Sequence, residues 1–185
     1  GAKWEEFSTR TNPTFFKDNM FSSITVGNDD RIWIGTSNKG ILVYNGISWI
    51  NFDINAMGLD PLMGNNVSEI KSDGKGKIWI GLVPNMKFQN IRGGIVEFDG
   101  VKWKEVKFSG IGVTLFQDFY FYKGKGYLST QSGFAIFDES YNIDLYNIFN
   151  SKIPTADIRA IKRDKSGALW LVTMNGAMKI KNIPN

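Results

Sequence analysis

The sequence predicts an all-β protein, a β-propeller of four four-stranded blades, and three observations point to it. First, an aromatic recurs inside a strand-like motif: Ile32-Trp33-Ile34-Gly35-Thr36, Ile78-Trp79-Ile80-Gly81, Tyr127-Leu128-Ser129-Thr130 and Leu169-Trp170-Leu171-Val172-Thr173. Trp33, Trp79, Tyr127 and Trp170 lie 46, 48 and 43 residues apart. A period in the forties built from strand-like units is the signature of propeller blades. Second, a further tryptophan beat, Trp49-Ile50-Asn51-Phe52, Trp103-Lys104-Glu105-Val106 and Trp4-Glu5-Glu6-Phe7, follows the same rhythm. Third, 20 glycines and 14% aromatics with only five prolines suit many short strands joined by tight turns.

The elements follow in order. Phe21, Ile24 and Val26 open the first blade, and Gly27-Asn28-Asp29-Asp30 is turn chemistry. Ile32 to Thr36 is the second strand and Ile41 to Tyr44 the third. Asn45-Gly46 is a two-residue hairpin signal, because both residues tolerate positive φ, and Ser48 to Phe52 is the fourth strand. The second blade repeats this with Asp73-Gly74-Lys75-Gly76 and Asp99-Gly100 as turns. The third turns at Lys123-Gly124, and its fourth strand falls near Ile143 to Tyr146. The fourth runs from Ile158 to Ile180 and stops where its outer strand should begin. Trp4 to Phe7 carries the missing pattern, so the N-terminal strand is expected to complete the last blade and remove its exposed edge. The expected organisation is one domain over 1–185, with blades at 21–52, 67–106, 116–146 and 158–180 plus 4–7. A ring closed by a single chain is favoured over a ring shared by two.

Composition narrows the chemistry. The chain has neither cysteine nor histidine, which removes disulfides, thiolate chemistry and the commonest general base and metal ligand. No metal, cofactor or catalytic residue is expected. No apolar run reaches the length of a membrane-spanning helix. The net charge of +4 is a modest basic excess, and no recognised nucleic-acid motif accompanies it. The chain begins Gly1-Ala2-Lys3 without methionine; a removed leader is expected.

Val67-Ser68-Glu69-Ile70…Asp73…Gly76-Lys77-Ile78-Trp79-Ile80-Gly81…Gly93-Gly94-Ile95-Val96 closely resembles the two-component regulator propeller repeat. The stretches from Ile24 to Tyr44 and from Ile158 to Trp170 resemble it too, and Ile153-Pro154-Thr155-Ala156-Asp157 looks like that family's lead-in between blades. The resemblance implies a β-propeller of the kind found in the periplasmic sensing part of bacterial hybrid histidine kinases that regulate glycan use. It therefore implies a periplasmic or extracellular location and a carbohydrate or a protein as partner.

Functional residues concentrate on loops held by rigid scaffolds. The loop from Leu82 to Arg92 is an insertion relative to its counterparts, and Lys87, Phe88, Gln89, Asn90 and Arg92 offer an aromatic, amides and cations for a sugar or peptide. Asn38, Gln131 and Asn175 occupy the corresponding turns of the other blades. Phe15, Phe16, Met57, Leu59 and Met63, in the inter-blade loops, are expected to cover the ends of the core. Asp18, Asp60, Asp118 and Asp157 each precede a blade. Convergence of these would permit calcium binding or acid–base cleavage of glycans, whereas local turn bonding is the commoner role of such aspartates. Arg31, Lys75, Lys77, Lys123, Lys125 and Lys165 should form a basic rim on the opposite face. The function expected is a non-enzymatic binding module, with carbohydrate sensing as its finer form. A carboxylate-dependent hydrolase or lyase acting on glycans, and a structural or assembly domain, are the alternatives.

Overall fold

The computed structural model describes residues 1–84, 93–108 and 116–181. Among the described residues fifteen strands form four antiparallel meanders. The first blade is β1 (Phe21–Val26), β2 (Ile32–Thr36), β3 (Ile41–Tyr44) and β4 (Trp49–Phe52). The second is β5 (Val67–Ser72), β6 (Ile78–Leu82), β7 (Gly94–Phe98) and β8 (Trp103–Val106). The third is β9 (Phe116–Tyr122), β10 (Lys125–Thr130), β11 (Gly133–Phe137) and β12 (Ile143–Tyr146). The last has three strands, β13 (Ile158–Arg163), β14 (Leu169–Thr173) and β15 (Gly176–Ile180). In every sheet the strands lie side by side in chain order.

The register explains how blades stack. Residues paired across strands share a face, and alternate residues point to opposite faces. Trp33 and Val43 are paired on one face of the first blade. They pack with Ile70, Ile80 and Val96, which are paired along one face of the second. The next junction sets Trp79 and Ile95 against Phe119, Leu128 and Ala135. The third sets Tyr127 and Ile136 against Ile161 and Leu171. One interface is thus made three times, through contacts of β1 with β5, β5 with β9 and β9 with β13. A hydrogen bond ties each junction at its inner strands: Ser72 N–H to Thr25 Oγ1 at 3.1 Å, Ser68 Oγ–H to the Phe116 carbonyl at 3.1 Å, and Ile161 N–H to Asp118 Oδ2 at 3.0 Å. The inter-blade apolar residues cover the core ends as expected: Phe16 and Met63 are buried, and Met57 and Leu59 pack on the first core.

Two expectations need correction. Trp4 to Phe7 forms no strand and does not pair with β15. Trp4 is 94% exposed, and Phe7 instead packs on Tyr44 and Trp49 of the first blade, at ring distances of 5.0 and 5.3 Å. The physical reason is proximity: the outer part of the first blade presents apolar rings close in sequence, so Phe7 reaches them at small entropic cost. The short helix α1 (Pro13–Phe16) adds Phe16, 5.0 Å from Trp49, to the same cover. Nor do the four blades close on themselves. Among the described residues the first and last blades share no packing like that of the three junctions. Ile24 is 63% exposed although its counterparts Ile70, Phe119 and Ile161 are fully buried, and Trp170 is 39% exposed where Trp33 is 1%. Among the described residues the blades form an arc with two exposed end faces, the first partly covered by Phe7 and Phe16.

Candidate ligand site

Lys87, Phe88, Gln89, Asn90 and Arg92 lie outside the described residues. Asn38, Gln131 and Asn175 are exposed, in the turns between the second and third strands of the first, third and fourth blades. Asn38 donates to the Asp18 carbonyl at 3.3 Å, and the Asn175 N–H donates to Thr173 Oγ1 at 3.1 Å. Both bonds hold local structure together.

The four pre-blade aspartates do not converge. Asp60 accepts from Leu62 N–H at 2.9 Å, capping a short 3-10 turn, and Asp157 accepts from Arg159 Nε at 3.2 Å. Asp18 sits at a positive φ of 58°. Asp118 is buried between blades, taking the Ile161 N–H and lying 3.7 Å from Lys71 Nζ. Among the described residues no three acidic side chains are grouped to hold a metal ion.

What the fold does assemble is a cavity of about 560 Å³ between the second and third blades, at the end carrying their first turns. Its apolar wall is aromatic. Trp79 packs with Phe137, Phe121 and Tyr141 at ring distances of 5.2, 5.4 and 6.2 Å. Behind that wall lies a buried carboxylate, Glu97, paired with Trp79 across β6 and β7 and only 6% exposed in its side chain. Tyr141 donates its hydroxyl proton to Glu97 Oε1 at 2.6 Å. Lys77 Nζ donates to Glu97 Oε2 at 3.0 Å and to Tyr141 Oη at 3.2 Å. Lys104 Nζ is 3.7 Å from Oε1 and sits over the Tyr141 ring at 4.2 Å. A buried charge demands this kind of pairing and hydrogen bonding. Burial pulls the Lys77 ammonium down, but the hydrogen bonds to Glu97 and Tyr141 outweigh it and leave Lys77 above the ordinary lysine value.

The rim is polar and of both signs. Lys75 pairs with Glu139 across the two blades, holding the Glu139 carboxyl below its usual range. Asp138 accepts from Asn142 Nδ2 and from the Ser140 and Asn142 N–H groups, the side-chain bond lowering its carboxyl most. Two backbone features mark the cavity. Lys123 and Tyr141 adopt left-handed φ values of 47° and 63°, and they are two of the four non-glycine residues that do so among those described. A side chain in this region costs roughly 1–2 kcal/mol, and such strain gathers at functional sites. Gly126 is needed for a different reason. A Cβ there would lie 2.0 Å from Cζ of Phe137, so only glycine lets that ring lie across β10.

The basic rim expected from the sequence is therefore neutralised in part: Arg31 pairs with Asp29, Lys75 with Glu139 and Lys77 with Glu97. The cavity was not read from the sequence. One signal for it is present: Glu97 is a lone acid between Val96 and Phe98, in a strand whose five residues are otherwise apolar or glycine.

With that geometry in place, comparison with known proteins defines the class. Residues 16–38 match the two-component regulator propeller repeat, as the resemblance anticipated. No curated protein matches the chain. Among solved structures it is similar to the extracellular domain assigned to hybrid two component system BT3049 from B. thetaiotaomicron, with a TM-score of 0.75 and 20% identity over 95% of this chain and 23% of that one. The extracellular domain assigned to BT4673 of the same organism gives a TM-score of 0.67 at 16% identity, over 89% of this chain and 21% of that one. The computationally designed Ika4 protein gives 0.61 at 11% identity, over 96% of this chain and 99% of the designed one. These likenesses identify a run of propeller blades; the chain spans less than a quarter of the length of the two natural neighbours. No helix among the described residues is long and apolar enough to cross a membrane.

Proposed function

We propose that this chain is a non-enzymatic, sensor-type propeller module that works outside the cytoplasm and binds a polyhydroxylated ligand in the cavity between its second and third blades. The observation that carries the reading is the cavity itself: an aromatic wall, a rim holding both ammonium and carboxylate groups, and two strained residues, Lys123 and Tyr141, positioned on it. Aromatic faces stack on the apolar side of a sugar ring, and mixed donors and acceptors take up its hydroxyls. The extracellular setting of the two natural neighbours supports the location. Catalysis is not supported: Glu97 is held by Tyr141 and Lys77, Asp60 caps its own turn, and Asp118 is held between blades by the Ile161 N–H.

A second reading keeps the ligand on the opposite face, on Lys87, Phe88, Gln89, Asn90 and Arg92, with Asn38, Gln131 and Asn175 on neighbouring turns. Binding to an oligosaccharide array, followed by titration calorimetry, separates the two. Phe121 lines the cavity, packs on Trp79 and is half-buried. Phe121→Ala should weaken binding about tenfold or more, the scale of one lost stacking contact, while Arg92→Ala leaves it unchanged. The reverse pattern moves the ligand to the loop face. No response to any oligosaccharide would sink the carbohydrate reading and direct the search to protein partners.

A further inference from the structure

The two exposed end faces carry the residue types that meet at the junctions inside the chain. The first-blade face presents Ile24 and Val26, at 63% and 53% exposure, with Phe21 at 47%. Ile24 and Phe21 stand where Ile70 and Val67, Phe119 and Phe116, and Ile161 and Ile158 are buried against a preceding blade. The last-blade face presents Trp170 at 39% and Val172 at 45%, where Trp33 and Trp79 are buried against a following blade. The chain makes this contact three times internally, and among the described residues its first and last blades each leave one side of it exposed.

A second gap coincides with the first. A cavity of about 610 Å³, lined by Phe134, Ile136, Tyr146, Ile153, Met178 and Ile180 among others, flanks the free edge of β15. At the first junction the same place is filled by the start of an outer strand: Trp103 packs on Phe98, Phe52 and Trp33 at 4.4, 5.3 and 6.2 Å. Among the described residues the last blade has no such strand. Trp4 to Phe7 has the outer-strand pattern and an exposed tryptophan, and it lies just ahead of the first blade.

We propose that two copies of this chain associate head to tail, the last-blade face of each docking on the first-blade face of the other, with Trp4 to Phe7 of each adding as the outer strand to β15 of its partner. The topology fits. In each internal junction the outer strand of one blade leads directly into the first strand of the next, so a partner's first blade docked after β15 brings its own Trp4 segment to that edge. Strand addition supplies backbone hydrogen bonds to that edge, and the tryptophan enters the cavity beside it. With a covered aromatic worth about 150–250 Å² and both contacts counted, the assembly removes roughly 1,500 Å² of surface, within the 1,200–2,000 Å² typical of stable interfaces. The contact is heterologous, and two such contacts close a two-fold ring.

Sedimentation equilibrium at micromolar concentrations tests this. The wild-type chain should run at twice 20.9 kDa. Ile24→Glu and Trp170→Glu alter surface-exposed side chains and should each give the single-chain mass with unchanged circular dichroism. Mixing the two variants should restore part of the double mass, because one of the two contacts in the mixed pair is undamaged. Since the chain has no cysteine, Glu5→Cys with Lys179→Cys should yield a covalent dimer on oxidation. A wild-type monomer, a Trp170→Glu variant that stays paired, a ladder of larger species, or an internal crosslink at single-chain mass would each overturn the proposal.

Discussion

Replacing Tyr141 by phenylalanine removes one oxygen from the centre of the candidate site and keeps the ring. That oxygen donates to Glu97 at 2.6 Å and accepts from Lys77 at 3.2 Å. Glu97 is 6% exposed in its side chain, so water cannot readily replace the lost donor. Hydrogen bonds to charged groups contribute about 1.5–3 kcal/mol. Lys77 remains on the other carboxylate oxygen at 3.0 Å, which limits the loss to about 2 kcal/mol by the same scale. For a chain of this size that corresponds to a fall in Tm of about 4–8 °C. Urea unfolding followed by tryptophan fluorescence gives the free energy directly, with coincident circular dichroism to establish two-state behaviour. Glu97→Gln, and the pair together, complete a double-mutant cycle whose coupling should be about 1 kcal/mol or more. A loss below about 0.5 kcal/mol, or strictly additive single variants, would refute the claim that the hydroxyl holds a buried carboxylate.

Three further outcomes are expected. Gly126→Ala should cost about 1–3 kcal/mol, because the new methyl displaces the Phe137 ring that packs on Trp79; an unchanged unfolding midpoint would contradict it. Asp118→Ala should cost about 1–3 kcal/mol by leaving the Ile161 N–H without its acceptor, and hydrogen exchange at Ile161 should accelerate more than at Ile158. Lys77 has a folded-state value above 10.5, so its stabilisation is complete below that value and is lost as pH rises through the raised one. Wild type should therefore lose more stability than Lys77→Met from about pH 10 upward; parallel curves would sink the assignment.

The strand pattern was legible because each blade solves the same local problem. Ile32 to Thr36, Ile41 to Tyr44 and Ile143 to Tyr146 are strands over the expected residues, since alternation and turn chemistry act within a few residues. Trp4 to Phe7 shows the limit. A strand pattern states what a segment can pair with, and which edge it meets depends on distances the sequence does not contain. Phe7 met Tyr44 and Trp49 first. The cavity stayed hidden for the same reason. Glu97 finds Tyr141 44 residues away, and Lys75 finds Glu139 64 residues away. The lysines of the rim were visible in the sequence, but the acids that neutralise two of them were not.

The sequential strand order of every sheet has a mechanical consequence. Among the described residues each blade packs chiefly on its neighbours, so stability adds along a line, as in a repeat array. Because the pairings are between adjacent strands, a blade can form as soon as its own hairpins have left the ribosome, and each completed blade offers a template face to the next. Loss of order should travel the same line in reverse. It would begin at β15, which has no outer strand among the described residues.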